Sequence, residues 1–148
     1  MSSNPAKTES RVAIFIALLA IFVSFYESFE NRNHNRLSIK PYINASMFSK
    51  NNSYEVSIKN AGLGPAIVEN FQVYANDKEV RNWNRALDEI NLNKYSWMSM
   101  LAKGDILSSG DEMILIRLDT VQPERFNLKF KLTYKSAYEE IFTVEKSF

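Results

Sequence analysis

The chain has no cysteine, only four glycines and four prolines, and a single histidine among its 148 residues. Without thiols there is no disulfide framework, no thiolate zinc site and no cysteine nucleophile. His34 is the one imidazole, and it falls in the polar run Glu30 to Arg36, so a Ser/His/Asp arrangement has nothing to draw on in the foldable part of the chain. No catalytic residue, metal site or cofactor is therefore expected. An excess of one charge is missing too. With 18 basic against 17 acidic side chains, the protein has no electrostatic footprint for non-specific nucleic-acid binding.

What the chain does have is one greasy stretch, "RVAIFIALLAIFVSFYES", residues 11 to 28. From Val12 to Tyr26 no side chain is charged, and ten of these residues are Val, Ile, Leu or Phe. Each contributes roughly −0.3 to −0.6 kcal/mol toward insertion near a bilayer centre, so lipid is its preferred solvent. Fifteen helical residues rise only about 22 Å, short of the ~30 Å hydrocarbon layer. Extension from 11 to 29 supplies the missing length, with Arg11 able to snorkel and Tyr26 and Phe29 suited to the interface. A cleaved signal peptide is the rival reading, but the run ends in Ser-Phe-Tyr-Glu-Ser-Phe-Glu, with no small-x-small cleavage site. Lys7 and Arg11 before the segment favour an extracytoplasmic C-terminal domain, while Arg32, Arg36 and Lys40 behind it leave a cytoplasmic one open.

Small residues in the segment share a helix face. Ala13, Ala17, Ala20, Ser24 and Ser28 are spaced at i, i+4, i+7, i+11 and i+15, with Glu27 continuing the stripe at the membrane edge. Such a face lets two backbones approach closely, which predicts a homo-oligomer with Ala13, Ala17, Ala20, Ser24 and Glu27 at the helix–helix interface; the alternative is that alanine is simply common in membrane helices.

Beyond the helix the period changes to two. Phe126, Leu128, Phe130, Leu132 and Tyr134 alternate with polar residues, as do Tyr54, Val56 and Ile58. Further strands are read at 66 to 75, 112 to 118 and 139 to 146, and an edge strand at 37 to 43 because of Pro41. Polar turns separate them at 50 to 53, 76 to 78, 108 to 111 and 135 to 137. Residues 82 to 92 read as a short helix, and 93 to 103 carry no clear pattern. The expected organisation is a polar tail over 1–10, a transmembrane helix over 11–29, a linker over 30–36 and a mainly β, antiparallel sandwich domain with one short helix over 37–148.

"VSIKNAGLGPAIVENFQVYANDKEV" and the later "LSSGDEMILIRL" resemble bacterial immunoglobulin-like modules of the cell-adhesion-related (CARDB-like) kind. The residues that carry the likeness are Asn60, Gly62, Gly64, Asn76, Asp77, Gly110 and Asp111. The chain is also similar to small bacterial proteins with one membrane helix and an Asn-x-Gly-x-Gly-Pro-Ala loop. The likeness covers about 60 of 148 residues and implies an immunoglobulin-like sandwich, not an activity.

Four groups of residues are candidates for recognition. In "NAGLGPA", Asn60, Gly62 and Gly64 could form a nest of backbone N–H groups, although the lysine-serine ending of a phosphate loop is missing; the alternative is glycines that relieve a tight bend, with Pro65 starting an edge segment. Trp83, Tyr95 and Trp97 flank the least regular segment and are either core plugs or binding anchors. Lys129, Lys131 and Lys135 share one strand face, as protection against edge pairing or as a site for phosphates or anionic headgroups. The acidic pairs Asp88-Glu89, Asp111-Glu112 and Glu139-Glu140 are adjacent in sequence and point apart, so they read as solvated surface.

These features describe an oligomerising binding protein held in the lipid bilayer by a single pass, with a protein partner or a small anionic ligand. The alternative is a ligand-gated membrane effector, in which a cytoplasmic β-domain senses a small anionic messenger such as a cyclic nucleotide in antiphage defence. Bundled helices would then perturb the membrane.

Overall fold

The computed structural model describes residues 5–50, 53–92, 95–119 and 126–148. The chain divides after Leu37 into a helical unit and a β unit.

Helix α1 (Pro5–Ser38) is 34 residues long, about 51 Å at 1.5 Å per residue. Its stretch from Val12 to Ser38 is long and apolar enough to cross a membrane, and none of it is buried within the chain. The polar run 30–36, read from sequence as a linker, is helical throughout. It contains no glycine or proline, so nothing interrupts the ladder until Pro41, whose ring disfavours helical geometry in the residue before it. Ser24 donates its hydroxyl to the Ala20 carbonyl at 2.9 Å, and so carries no unpaired polar group on this exposed face.

The β unit is a mainly β, antiparallel sandwich with nine strands and one short helix among the described residues. One sheet runs β1 (Ile43–Lys50), β2 (Ser53–Asn60), β7 (Glu112–Leu118), β5 (Tyr95–Met98). The other runs β4 (Lys78–Val80), β3 (Ala66–Ala75), β8 (Leu128–Lys135), β9 (Ile141–Ser147), with β6 (Ile106–Leu107) added beside β3. The core lies between them. Strand β8 shows the alternation most clearly, with Leu128, Phe130, Leu132 and Tyr134 buried and the residues between them half-exposed. Facing them are Val56, Ile58, Ile116 and Leu118 from the first sheet. Helix α2 (Trp83–Glu89) covers part of the core; Asn82 caps it by accepting the Arg85 N–H at 3.0 Å. The β3–β4 hairpin closes through Asn76 and Asp77, whose φ angles of 51° and 62° are those of a type I′ turn.

Three readings of the sequence change. Residues 37–43 are not an edge strand: they end α1 and cross to the sandwich, with Pro41 buried, and the edge strand is Ile43–Lys50. Pro65 does not begin an edge segment, because Ala66 and Ile67 pair with β6 on one side while Ile67 pairs with β8 on the other. The unassigned stretch contains β5, a four-residue edge strand on β7. The turn expected at Asn51 and Asn52 lies outside the described residues.

Phe130→Ala removes a wholly buried ring between the sheets and is expected to cost about 3–5 kcal/mol in urea unfolding. Phe48→Ala, on an exposed ring of β1, should stay within about 0.5 kcal/mol of the parent.

Candidate interaction surface

Asn60, the last residue of β2, is completely buried. Its Oδ1 accepts the Tyr42 N–H at 3.1 Å and the Gly62 N–H at 3.0 Å. Its Nδ2 donates to the Gly64 carbonyl at 2.8 Å and the Leu107 carbonyl at 2.9 Å. Two lone pairs and two amide protons are the whole capacity of the side chain, and all are used. The backbone of Asn60 adds bonds to Asp111 and Gly110, and Ser109 donates its hydroxyl to the Gly62 carbonyl. One amide thus holds together the chain leaving α1, the loop after β2, strand β6 and the turn before β7.

The glycines serve the same assembly. A Cβ on Gly62 would collide with the backbone of Lys40 and Tyr42, and one on Gly64 with the Ile39 carbonyl. Neither glycine has positive φ, so close approach of segment 39–42, rather than relief of a bend, is what requires them. Asn60, Gly62 and Gly64 form an internal clasp, in which the Asn60 side chain, the Gly62 N–H and both glycine carbonyls bond within the chain.

The aromatic residues separate. Trp83 is a core residue, its ring 6.1 Å from Phe71 and 6.0 Å from Phe148, with Nε1 donating to the Ser99 carbonyl at 2.8 Å. It is too deep to anchor a partner. Tyr95 and Trp97 lie on β5 and are 46% and 54% exposed; Trp97 Nε1 donates to the Ser99 hydroxyl at 2.9 Å. The ladder places Trp97 opposite Arg117, Arg117 opposite Glu55, and Glu55 opposite Phe48. Cross-strand partners share a face, so these four residues make one row across the outside of the first sheet. Arg117 Nε donates to the Glu55 carboxylate at 2.8 Å in the middle of the row, and exposed aromatic rings stand at its two ends. A half-buried ion pair between two open rings is a surface for apolar and stacking contacts, with a fixed charge pattern to orient them. Phe48 was not legible as part of it, because its strand is built from small polar residues.

The lysines are placed differently from a free basic patch. Strand β8 lies between β3 and β9, so Lys129, Lys131 and Lys135 do not guard an edge. Lys129 pairs with Glu145 at 3.2 Å and sits 4.8 Å from the Tyr74 ring centroid. Lys135 pairs with Glu139 at 2.6 Å and Glu69 at 3.2 Å, and Lys103 meets Glu69 at 2.9 Å. Lys131 faces Gln72 and Glu145 in the register. Two of the three charges are therefore matched within the sheet. Hydrogen bonds from Lys103 and then Lys135 hold the Glu69 carboxyl below its ordinary range, while Glu139 and then Glu69 raise the Lys135 ammonium. Among the described residues no group of three or more His, Asp or Glu side chains is placed to hold a metal ion.

On α1 the interface candidates Ala13, Ala17, Ala20, Ser24 and Glu27 are all exposed. Uninterrupted helix puts them within an arc of about 80°, opposite Phe15, Phe22 and Phe29. A shallow groove runs along the stripe beside Phe25, lined by Ala20, Ile21, Ser24 and Ser28.

Replacing Asn60 with Ala orphans four backbone groups at once and should lower unfolding stability by at least about 3 kcal/mol. Asn60→Asp should be no better, since its carboxylate would confront two carbonyl oxygens. Because the Glu69 pKa is depressed on folding, its contribution to stability is present above the unfolded value and lost as pH falls through the folded one. Glu69→Gln is expected to flatten that acid limb of the stability profile, followed by thermal melts between neutral and strongly acidic pH.

No curated protein matches the chain. Residues 9–147 match the family described as Domain of unknown function (DUF8453), a span that takes in the apolar part of α1 together with the whole sandwich. With most of its length inside that match, the chain belongs to the DUF8453 family.

Proposed function

We propose that the protein is a single-pass membrane protein that presents a self-associating, immunoglobulin-like binding module and has no catalytic activity. The observation that carries this reading is the solvent exposure of α1: every large apolar side chain from Val12 to Phe29 is open to its surroundings, while the sandwich core closes entirely from residues after Pro41. Apolar side chains left exposed along a helix of this length take lipid or another helix as their partner. The strand orders β1-β2-β7-β5 and β4-β3-β8-β9 correspond to the ABED and CFG sheets of an immunoglobulin sandwich with one added strand, which supports that description of the module.

In this reading the stripe of small residues on α1 brings copies together, and the row from Phe48 to Trp97 meets a protein partner. Weak contacts by each domain then add through avidity. This reading puts the domain outside the cytoplasm, the side favoured by Lys7 and Arg11 before the segment. In the gated-effector alternative the lysine strand is a weaker feature than the helix stripe with Glu27 and the exposed aromatics, because Lys129 and Lys135 are matched by carboxylates.

Carbonate washing of membranes should leave the full-length chain in the pellet, and Lys78→Cys, on an exposed hairpin of a protein without native thiols, should react with an impermeant maleimide in intact cells. Release into the supernatant would overturn the anchor; labelling only after lysis would overturn the orientation.

A further inference from the structure

The four edges of the sandwich are not equally protected. Strand β5 has four residues and β4 has three, two of them charged. Strand β9 carries Glu145 and Lys146. Short length and charge are the usual means by which an edge is kept from pairing with another chain. Strand β1 has neither: it is eight residues long, "INASMFSK", with no charge from Ile43 to Ser49 and no proline.

Its hydrogen-bonding phase is fixed. Ala61 N–H donates to the Tyr42 carbonyl at 2.8 Å and Ile43 lies opposite Asn60, so Asn44, Ser46 and Phe48 turn their backbone groups toward β2. Ile43, Ala45, Met47 and Ser49 turn theirs the other way. Tyr134 Oη takes the Ile43 N–H at 3.2 Å, which closes the start of the row and positions it. The N–H and C=O groups of Ala45, Met47 and Ser49 are then left facing an open edge among the described residues.

We infer that this edge pairs with the same edge of a second copy, antiparallel across a two-fold axis near Ser46, joining two four-stranded sheets into one of eight. An isologous contact requires a strand compatible with itself, and β1 places no like charges opposite each other. Ala45 meets Met47 of the second copy, and Met47 meets its Ala45, so small faces large and about four backbone hydrogen bonds form. Ser46 meets itself in a non-hydrogen-bonded pair, where side chains approach most closely. Position favours this occupant over a foreign peptide. Five residue steps separate Ser38 from Ile43, so β1 starts within about 18 Å of the end of α1, and a helix shared in one membrane concentrates β1 edges beside each other. Only this concentrating effect rests on the anchor reading; the edge is a property of the sandwich.

The full chain in liposomes tests the pairing, each variant carrying one cysteine in a thiol-free background. Under mild oxidation Ser46→Cys should give covalent dimer at least tenfold faster than Thr143→Cys on β9 or Lys78→Cys on β4. Adding Ala45→Pro removes an edge donor without touching the ladder to β2, and should bring Ser46→Cys down to the rate of those two. Crosslinking through Ala17→Cys in α1 should be unchanged by Ala45→Pro. If Ala45→Pro alters melting, Ser49→Pro at the exposed end of the strand replaces it. Equal rates at the three edges, or crosslinking indifferent to both prolines, overturns the proposal. A chain that carbonate releases but that still crosslinks through Ser46→Cys upholds the pairing while the anchor fails.

Discussion

A single carboxamide organises the place where helix and sandwich meet in the chain. The side chain of Asn60 spends its full hydrogen-bonding capacity on four backbone groups from three segments, and its own backbone bonds a fourth, the turn before β7. A buried polar group is costly when unsatisfied, so this amide specifies one arrangement and penalises the alternatives. Gly62 and Gly64 follow from it, because the backbone of residues 39–42 can be drawn this close only where no Cβ stands in the way. The phase of β1 follows in turn, since Tyr42 is tied on one side and Ile43 on the other.

The clasp lies where the chain passes from exposed apolar residues to a buried core. After residue 38 the chain buries a core of apolar side chains between two sheets and pairs Lys129 and Lys135 with carboxylates on the outer face of the second. Before it, the large apolar side chains of α1 from Val12 to Phe29 are exposed. Under the proposed reading the described residues offer three surfaces for recognition: the helix stripe, the aromatic row from Phe48 to Trp97 and the open edge of β1. In that reading none needs a catalytic group, and all three gain from having several copies in one membrane.

The parts of the fold legible in the sequence were those with strong period-two alternation. Strand β8 reads directly because Leu128, Phe130, Leu132 and Tyr134 are large and their neighbours are polar. Strand β1 does not, because Ala45 is small, Asn44 and Ser46 favour turns, and only pairing with β2 reveals which side is buried. The helix beyond Glu30 was hidden by asparagines that commonly mark linkers, although no breaker precedes Pro41. At the candidate site Tyr95 and Trp97 were named from composition and are exposed, whereas Trp83 belongs to the core. The role of Asn60 was out of reach for a different reason: its partners at Tyr42 and Leu107 lie 18 and 47 residues away, and only tertiary structure brings them together.

Amide hydrogen exchange in the full chain tests the central claim, that Asn60 locks the segment leaving α1 onto the sandwich. The N–H groups of Tyr42 and Gly62 lie in loops but donate to the buried Oδ1 of Asn60, so they should be protected as strongly as the β3–β8 ladder and open only with global unfolding. Exchange of those two amides at the rate of an ordinary surface loop, while the ladder stays protected, would contradict it.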